Sequence, residues 1–283
     1  MKPIDKILLA TDFSPSSKEA VQTAISVAQK YYSEISMIHV IPLTDSSFPL
    51  HQLKKMPEQR LNVLYETLQK KGVQVTKPII AVGTPYYEIN QVALDKDVNV
   101  IIIGSGEKKK TDVFQLGITA ERLIRRSPKP VWVAKRYKEP LLEKILCPVE
   151  YSESSGRALK NAINLAQNFS AELTVLSVTK DIESLYSDIY HVLPEDQEQF
   201  EEKRQAEFDE FLNHFNFYKL DWKKLIKKGQ PAREIMKICD EENFDLIVMG
   251  SVGKTGLSKV NFGSVAAKVT REVPCSFITV REE

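Results

Sequence analysis

The chain has little cysteine. Cys147, Cys239 and Cys275 are its only three in 283 residues, with no C-x-x-C spacing. An odd, scattered set excludes a disulfide scaffold and fits a reducing, cytoplasmic setting. The four histidines, His39, His51, His191 and His214, show no metal-ligand spacing among them. His39 ends an apolar run and reads as a packed core residue. No apolar run approaches the ~18 residues of a membrane span, and the first residues lack the apolar stretch of a secretory leader. Net charge is only +1, so no global field draws the chain to nucleic acid. These absences predict an intracellular protein with no membrane span and no nucleic-acid partner.

What is present is a duplication. Lys6-Ile7-Leu8-Leu9 recurs as Lys144-Ile145-Leu146-Cys147, an offset of 138 that also pairs Ser14 with Ser152, Ala20 with Ala158 and Val40 with Val178. Further on the offset is 146, pairing Gly83 with Gly229, Pro85 with Pro231 and Gly104-Ser105 with Gly250-Ser251. The second copy therefore carries a net insertion of eight residues between Val178 and Gly229. So long a period means two whole domains rather than a solenoid. Their expected bounds are 1–138 and 143–283, with the seam in the charged stretch Arg136–Glu143 around Pro140. The halves differ in charge. Residues 1–140 carry 21 Lys+Arg against 14 Asp+Glu, and residues 141–283 carry 18 against 24. The acidic excess around Asp181–Glu210 reads as a solvated helix face.

Short apolar runs alternate with amphipathic segments in each half. Ile7–Ala10, Ile35–Ile41, Val100–Ile103 and Val131–Ala134 read as strands, with partners Ile145–Val149, Leu173–Val178, Leu246–Met249 and Ser276–Val280. A weaker strand precedes each of Gly83 and Gly229. Continuously apolar strands imply helices on both sheet faces. Ser14 and Ser152 are placed to cap helix starts, and Pro85 and Pro231 to open the third helices. Phe200, Phe208, Phe211, Leu212 and Phe215 stand at helical spacing and read as core. The predicted fold is α/β: two tandem doubly wound, Rossmann-like domains, each with a five-stranded, mainly parallel sheet.

The eleven glycines are few, but they carry a pattern. Gly250-Ser251-Val252-Gly253 is followed by nine residues and then Gly263-Ser264. The first half has Gly104-Ser105-Gly106-Glu107, nine residues, then Gly117-Ile118. Two key positions have thus become Glu107 and Ile118. In an open parallel sheet, ligands bind at the carboxyl ends of strands, where Gly250 stands. Gly250 and Gly253 permit tight turns and close approach to a ligand. Gly263-Ser264 opens a helix whose free N–H groups and dipole suit an anion, and the Ser264 hydroxyl adds a donor. Lys254 adds charge. Gly253-Lys254-Thr255 is not the end of a Walker A motif, because Val248 stands where that motif needs glycine. No acid–base pair or hydrolytic triad is assignable. Cys275, after Pro274 at a strand start, reads as core rather than nucleophile.

In this motif and its damaged copy the chain resembles the universal stress protein family in its tandem two-domain form. The resemblance covers nearly the whole sequence. The family's ATP-binding members carry G-x2-G-x9-G-[ST], which Gly250, Gly253, Gly263 and Ser264 satisfy, with Val265 next along the helix. The resemblance implies ATP or a related adenine nucleotide, with Mg, as ligand. It implies a nucleoside contact at Pro148, Val149 and Glu150, and an adenine contact at the backbone of Val178. The first half has Ala10, Thr11 and Asp12, then Val40, at those places. Each half departs from the pattern. The second has Glu150 where aspartate is usual, and the first keeps Asp12 but sets Glu107 where phosphate would approach, with Lys108–Lys110 beside it.

The expectation is one nucleotide, in the second half. Single domains of the family pair through their last strands, so Val131–Ala134 and Ser276–Val280 are expected to make an internal pseudo-dimer; a further homodimer stays open. Three functions compete: a nucleotide-dependent stress-response or signalling module, an interaction scaffold with a vestigial site, and a slow ATPase or nucleotidyl-transfer enzyme.

Overall fold

The structure is a computed structural model that describes residues 4–43, 49–106, 116–179, 194–252 and 262–281. It divides into two compact units, Met1–Leu141 with Pro274–Glu283, and Leu142–Val273.

In the first unit, β1 (Lys6–Ala10), β2 (Glu34–Pro42), β5 (Val100–Gly104) and β6 (Val131–Ala134) form a parallel sheet in the order β2-β1-β5-β6. Every residue of β5, and Ile7 through Ala10 of β1, is buried. Successive side chains point to opposite faces, so both faces are covered. The intervening helices are α1 (Pro15–Tyr31), α2 (Leu50–Lys70), α3 (Pro85–Asp95) and α4 (Ile118–Arg126). One edge departs from the expected single weak strand. It is split into β3 (Gln74–Val75) and β4 (Ile79–Gly83), both pairing with β2. Pro78 lies in the gap and has no N–H to give to the ladder.

The last strand also departs from a simple tandem division. Numbered β11, Ser276–Val280 groups with the first unit and pairs antiparallel with β6, in the register Phe277↔Val133 and Ile278↔Trp132. The expected meeting of the two final strands is thus observed. Trp132 and Phe277 are fully buried and anchor this seam by apolar burial.

The second unit has β7 (Lys144–Val149), β8 (Glu172–Thr179), β9 (Trp222–Lys228) and β10 (Leu246–Gly250), all parallel, in the order β10-β7-β8-β9. Its helices are α5 (Glu153–Phe169), α6 (Pro194–Leu212), α7 (Pro231–Glu242) and α8 (Ser264–Glu272). Lys223, Lys224, Lys227 and Lys228 stand on β9, where charge discourages further pairing at an edge. The stripe expected to be core is so in part: Phe208 is fully buried and Leu212 nearly so, while Phe200, Phe211 and Phe215 are half-buried. Among the described residues no helix is long and apolar enough to cross a membrane.

The serine caps repeat with the fold. Ser14 Oγ accepts from the Ser17 amide at 3.4 Å, and Ser152 Oγ from the Ser155 amide at 3.1 Å. At the far ends of the same helices, Tyr32 and Ser170 both take left-handed φ of 57°. Each cap therefore fixes where the chain leaves β1 or β7 and turns over the strand ends.

Candidate functional site

In the first unit the carboxyl ends of β1, β2 and β5 open onto a cavity of about 270 Å³. Thr11, Asp12, His39, Val40, Gly106 and Gly117 are among its walls. Phe13 has φ of 63°, a strained value for a non-glycine residue, and turns the chain sharply from β1 into α1. That turn brings Ser14 and Ser17 around Asp12. The Ser14 amide donates to Asp12 Oδ1 at 3.0 Å, and the Ser17 hydroxyl donates to the same oxygen. Partial burial pushes the Asp12 carboxyl up, but these hydrogen bonds outweigh it and hold the pKa below the ordinary aspartate value. His39 is a cleft residue rather than a core one. It is half-buried, its ring stacks on Phe13 at 4.8 Å, and Nδ1 lies 2.8 Å from the Thr11 carbonyl oxygen.

In the second unit, strand order sets Pro148, Val149 and Glu150, Val178, and Gly250 at the carboxyl ends of three adjacent strands. Val149 is buried, Pro148 and Val178 are half-buried, and Glu150 is exposed. The extra methylene of Glu150 changes the local bonding. Its Oε1 accepts from the Ser152 hydroxyl at 3.2 Å, whereas the Ser152 amide donates to Ser155 Oγ at 3.0 Å. In the first unit the equivalent amide, that of Ser14, goes to the carboxylate. Tyr151, with φ of 61°, repeats Phe13, and its hydroxyl lies 2.6 Å from Ser177 Oγ. Ser177 stands where the first half has His39. Sequence reasoning missed Ser17, Ser155, Tyr151 and Ser177, yet the offset of 138 pairs all four positions and would have exposed them.

Two ends of the glycine motif come together. The Gly263 amide donates to the Ser251 carbonyl at 2.8 Å, bringing the start of α8 to the end of β10. Gly263 offers no side-chain cap, so Ser264, Val265 and Ala266 begin the helix with N–H groups that have no partner in its first turn. Ser264 is exposed and Val265 half-buried. Among the described residues the hydroxyl oxygens of Ser154 and Ser251 are buried without a hydrogen-bond partner. Gly253 and Lys254 lie outside the described residues, as do Glu107, Lys108–Lys110 and His191.

Gly250 has a structural duty that the motif alone does not reveal. A Cβ there would stand 2.5 Å from Ser154 Oγ and 3.0 Å from the Ser154 carbonyl carbon. Gly104 is tighter, with the Ser16 carbonyl oxygen 2.5 Å from such a Cβ. The first glycine of each motif thus admits the start of the first helix against the sheet, rather than serving only as a turn beside a ligand.

The three thiols are buried, and burial pushes Cys147 well above the ordinary cysteine range, which suits packing rather than nucleophilic attack. Among the described residues no group of His, Cys, Asp and Glu could hold a metal ion.

A model of the universal stress protein family matches residues 3–135 and again residues 142–281. The chain is 33% identical over 153 residues to Universal stress protein MJ0531 of Methanocaldococcus jannaschii, covering 52% of this chain and 86% of that protein. Universal stress protein E of Photorhabdus laumondii is 21% identical over 318 residues, covering 100% of this chain and 96% of the relative. Among solved structures, that of a universal stress protein from Archaeoglobus fulgidus covers 100% of both chains with a TM-score of 0.74 at 23% identity, a likeness of fold.

Proposed function

The chain belongs to the universal stress protein family, and on that premise we propose that its second half binds one adenine nucleotide of the ATP class and reports it to partners through conformation. The observation that carries the reading is the Gly263–Ser251 hydrogen bond. It draws the uncapped start of α8 to the end of β10, so both flanks of the glycine motif face one place. N–H groups without an acceptor inside the helix, the Ser264 hydroxyl, and the Ser154 and Ser251 oxygens that have no partner among the described residues fit a phosphate-bearing ligand.

In this reading α8 and Ser264 hold phosphates, with Gly253 and Lys254 completing the cradle. Glu150 faces the ribose, Pro148 and Val149 form the floor, and the Val178 backbone meets the adenine edge. Mg would ride on the phosphate oxygens and offset their charge. Binding rather than turnover is taken as the output; among the described residues no base stands positioned to activate water. The buried free thiols support a cytoplasmic setting, and the family supports a role in stress response.

Calorimetry of the purified chain with ATP, ADP, AMP and cAMP, with mass spectrometry of any co-purified ligand and a turnover assay, tests this. The expected result is one ATP-class site per chain with negligible turnover. No binding, or two equivalent sites, would overturn it.

A further inference from the structure

A second cavity, of about 500 Å³, lies between α1 and α2 of the first unit and adjoins the strand-end cleft, with Thr11 and Ser17 in the walls of both. That is within the ~300–1,000 Å³ usual for small-molecule sites. Its apolar lining is Phe13, Val21, Val63 and Leu64, and the charged groups along it are Lys18 and Arg60. No acidic residue lines it among the described residues. Among the described residues neither cation makes an ion pair, and the Arg60 guanidinium sits 5.4 Å above the Phe13 ring.

The duplicate half shows what this space is shaped to hold. There the residue equivalent to Lys18 is Gly156, and a Cβ on it would lie 3.5 Å from the Phe215 ring and 3.8 Å from that of Phe211. Tyr151, equivalent to Phe13, packs on Phe208 and Phe211 at 5.6 and 5.3 Å. The second half thus fills the place between its first two helices with its own aromatic rings. The first half brings no phenylalanine from α2, leaves Val63 exposed, and sets two cations at the rim.

We propose that the α1–α2 groove of the first half is a binding site for a small organic anion: an apolar alkyl or aryl body seated on Phe13, Val21, Val63 and Leu64, with its carboxylate held by Lys18 and Arg60. The body takes the place that Phe211 and Phe215 occupy in the other half. The carboxylate meets two cations that have no competing acid among the groove's described lining. Phe13 of the groove also stacks on His39 of the strand-end cleft.

The probe is 1-anilinonaphthalene-8-sulfonate, an aryl anion that fluoresces in apolar sites, titrated into the intact chain and displaced with decanoate or decanol. One saturable site is expected. Decanoate should displace the dye at least ten times more effectively than decanol, and saturating ATP should leave the dye bound. Lys18→Glu with Arg60→Glu should weaken the dye at least tenfold. Val63→Trp should fill the groove and abolish the site. All three residues are exposed, so unchanged melting and circular dichroism are expected to accompany these losses. Dye binding that is unsaturable, displaced by ATP, equally sensitive to decanol, or indifferent to both variants would overturn the proposal.

Discussion

Gly106 and Gly117 meet backbone against backbone: a Cβ on Gly106 would stand 2.7 Å from the Gly117 Cα, and Gly106 takes φ of +95°. The second half has Val252 and Gly263 at these places. The hydrogen bond closing the loop is the same in both, 2.8 Å from the Gly117 amide to Ser105 and from the Gly263 amide to Ser251. A valine cannot enter the space that Gly106 uses. The positive φ of Gly106 is not repeated at Val252, so the two halves leave these strand ends by different backbone paths, a difference beyond the loss of one motif glycine.

The first glycine of each motif should prove structural. Gly104→Ala meets the Ser16 backbone, which cannot swing away, whereas the nearest atom to Gly250→Ala is the Ser154 hydroxyl. Overpacking of this kind costs about 1–3 kcal/mol. Gly104→Ala is expected at the upper end and Gly250→Ala below it, measured by urea unfolding. Equal or negligible losses would mean that the helix starts can shift freely.

Lys135, at the end of β6, supplies a pH test. Burial lowers its pKa from 10.5 to about 7, against a smaller upward pull from Cys275. Between those values the unfolded chain binds the additional proton, so this group makes stability rise as pH climbs from 7 toward 10.5. Lys135→Met should remove that rise and melt at a higher temperature than the parent at pH 7. Melting curves at pH 7 and 9.5 check both parts, and an unaltered pH slope would refute the assignment.

Gly253→Glu gives the second half the residue that the first has at Glu107. It adds a side chain and a negative charge where phosphate should approach. Either effect should exceed about 1.4 kcal/mol, a tenfold loss of ATP affinity. Circular dichroism should barely change, since the first half carries glutamate at the same loop position. Binding at parental strength would show that the phosphate cradle lies elsewhere.

Glu150→Asp should act in the opposite sense. Asp12 is steered by the Ser14 amide and the Ser17 hydroxyl, whereas among the described residues Glu150 accepts from the Ser152 hydroxyl alone. The shorter side chain can take up the Asp12 arrangement and should tighten ATP, by up to about tenfold. Calorimetry showing unchanged or weaker binding would remove the nucleoside role from this carboxylate.

Most of the scaffold was legible because strand burial writes itself as apolar runs and a duplication offers each reading twice. Val131–Ala134 and Ser276–Val280 have the bounds expected of them. What escaped depends on contacts between distant segments. Nothing near Ser276 in sequence says that its strand groups with the first unit. Nothing near Gly250 says that Ser154 presses on it from more than ninety residues away. His39 looked like core because it ends an apolar run, but the positive φ of Phe13 swings a ring onto it and leaves it on the cleft wall.

The pairing of β11 with β6 also sets a timetable for biogenesis. The first unit cannot be completed until Ser276–Val280 has been synthesised, some 140 residues after Leu141. At ~5–20 residues per second that is an interval of roughly 7–28 seconds. Throughout it Val131–Ala134 offers a bare apolar strand flank to whatever arrives, including the same flank on a neighbouring nascent chain. Separating the halves at the seam would make that interval permanent.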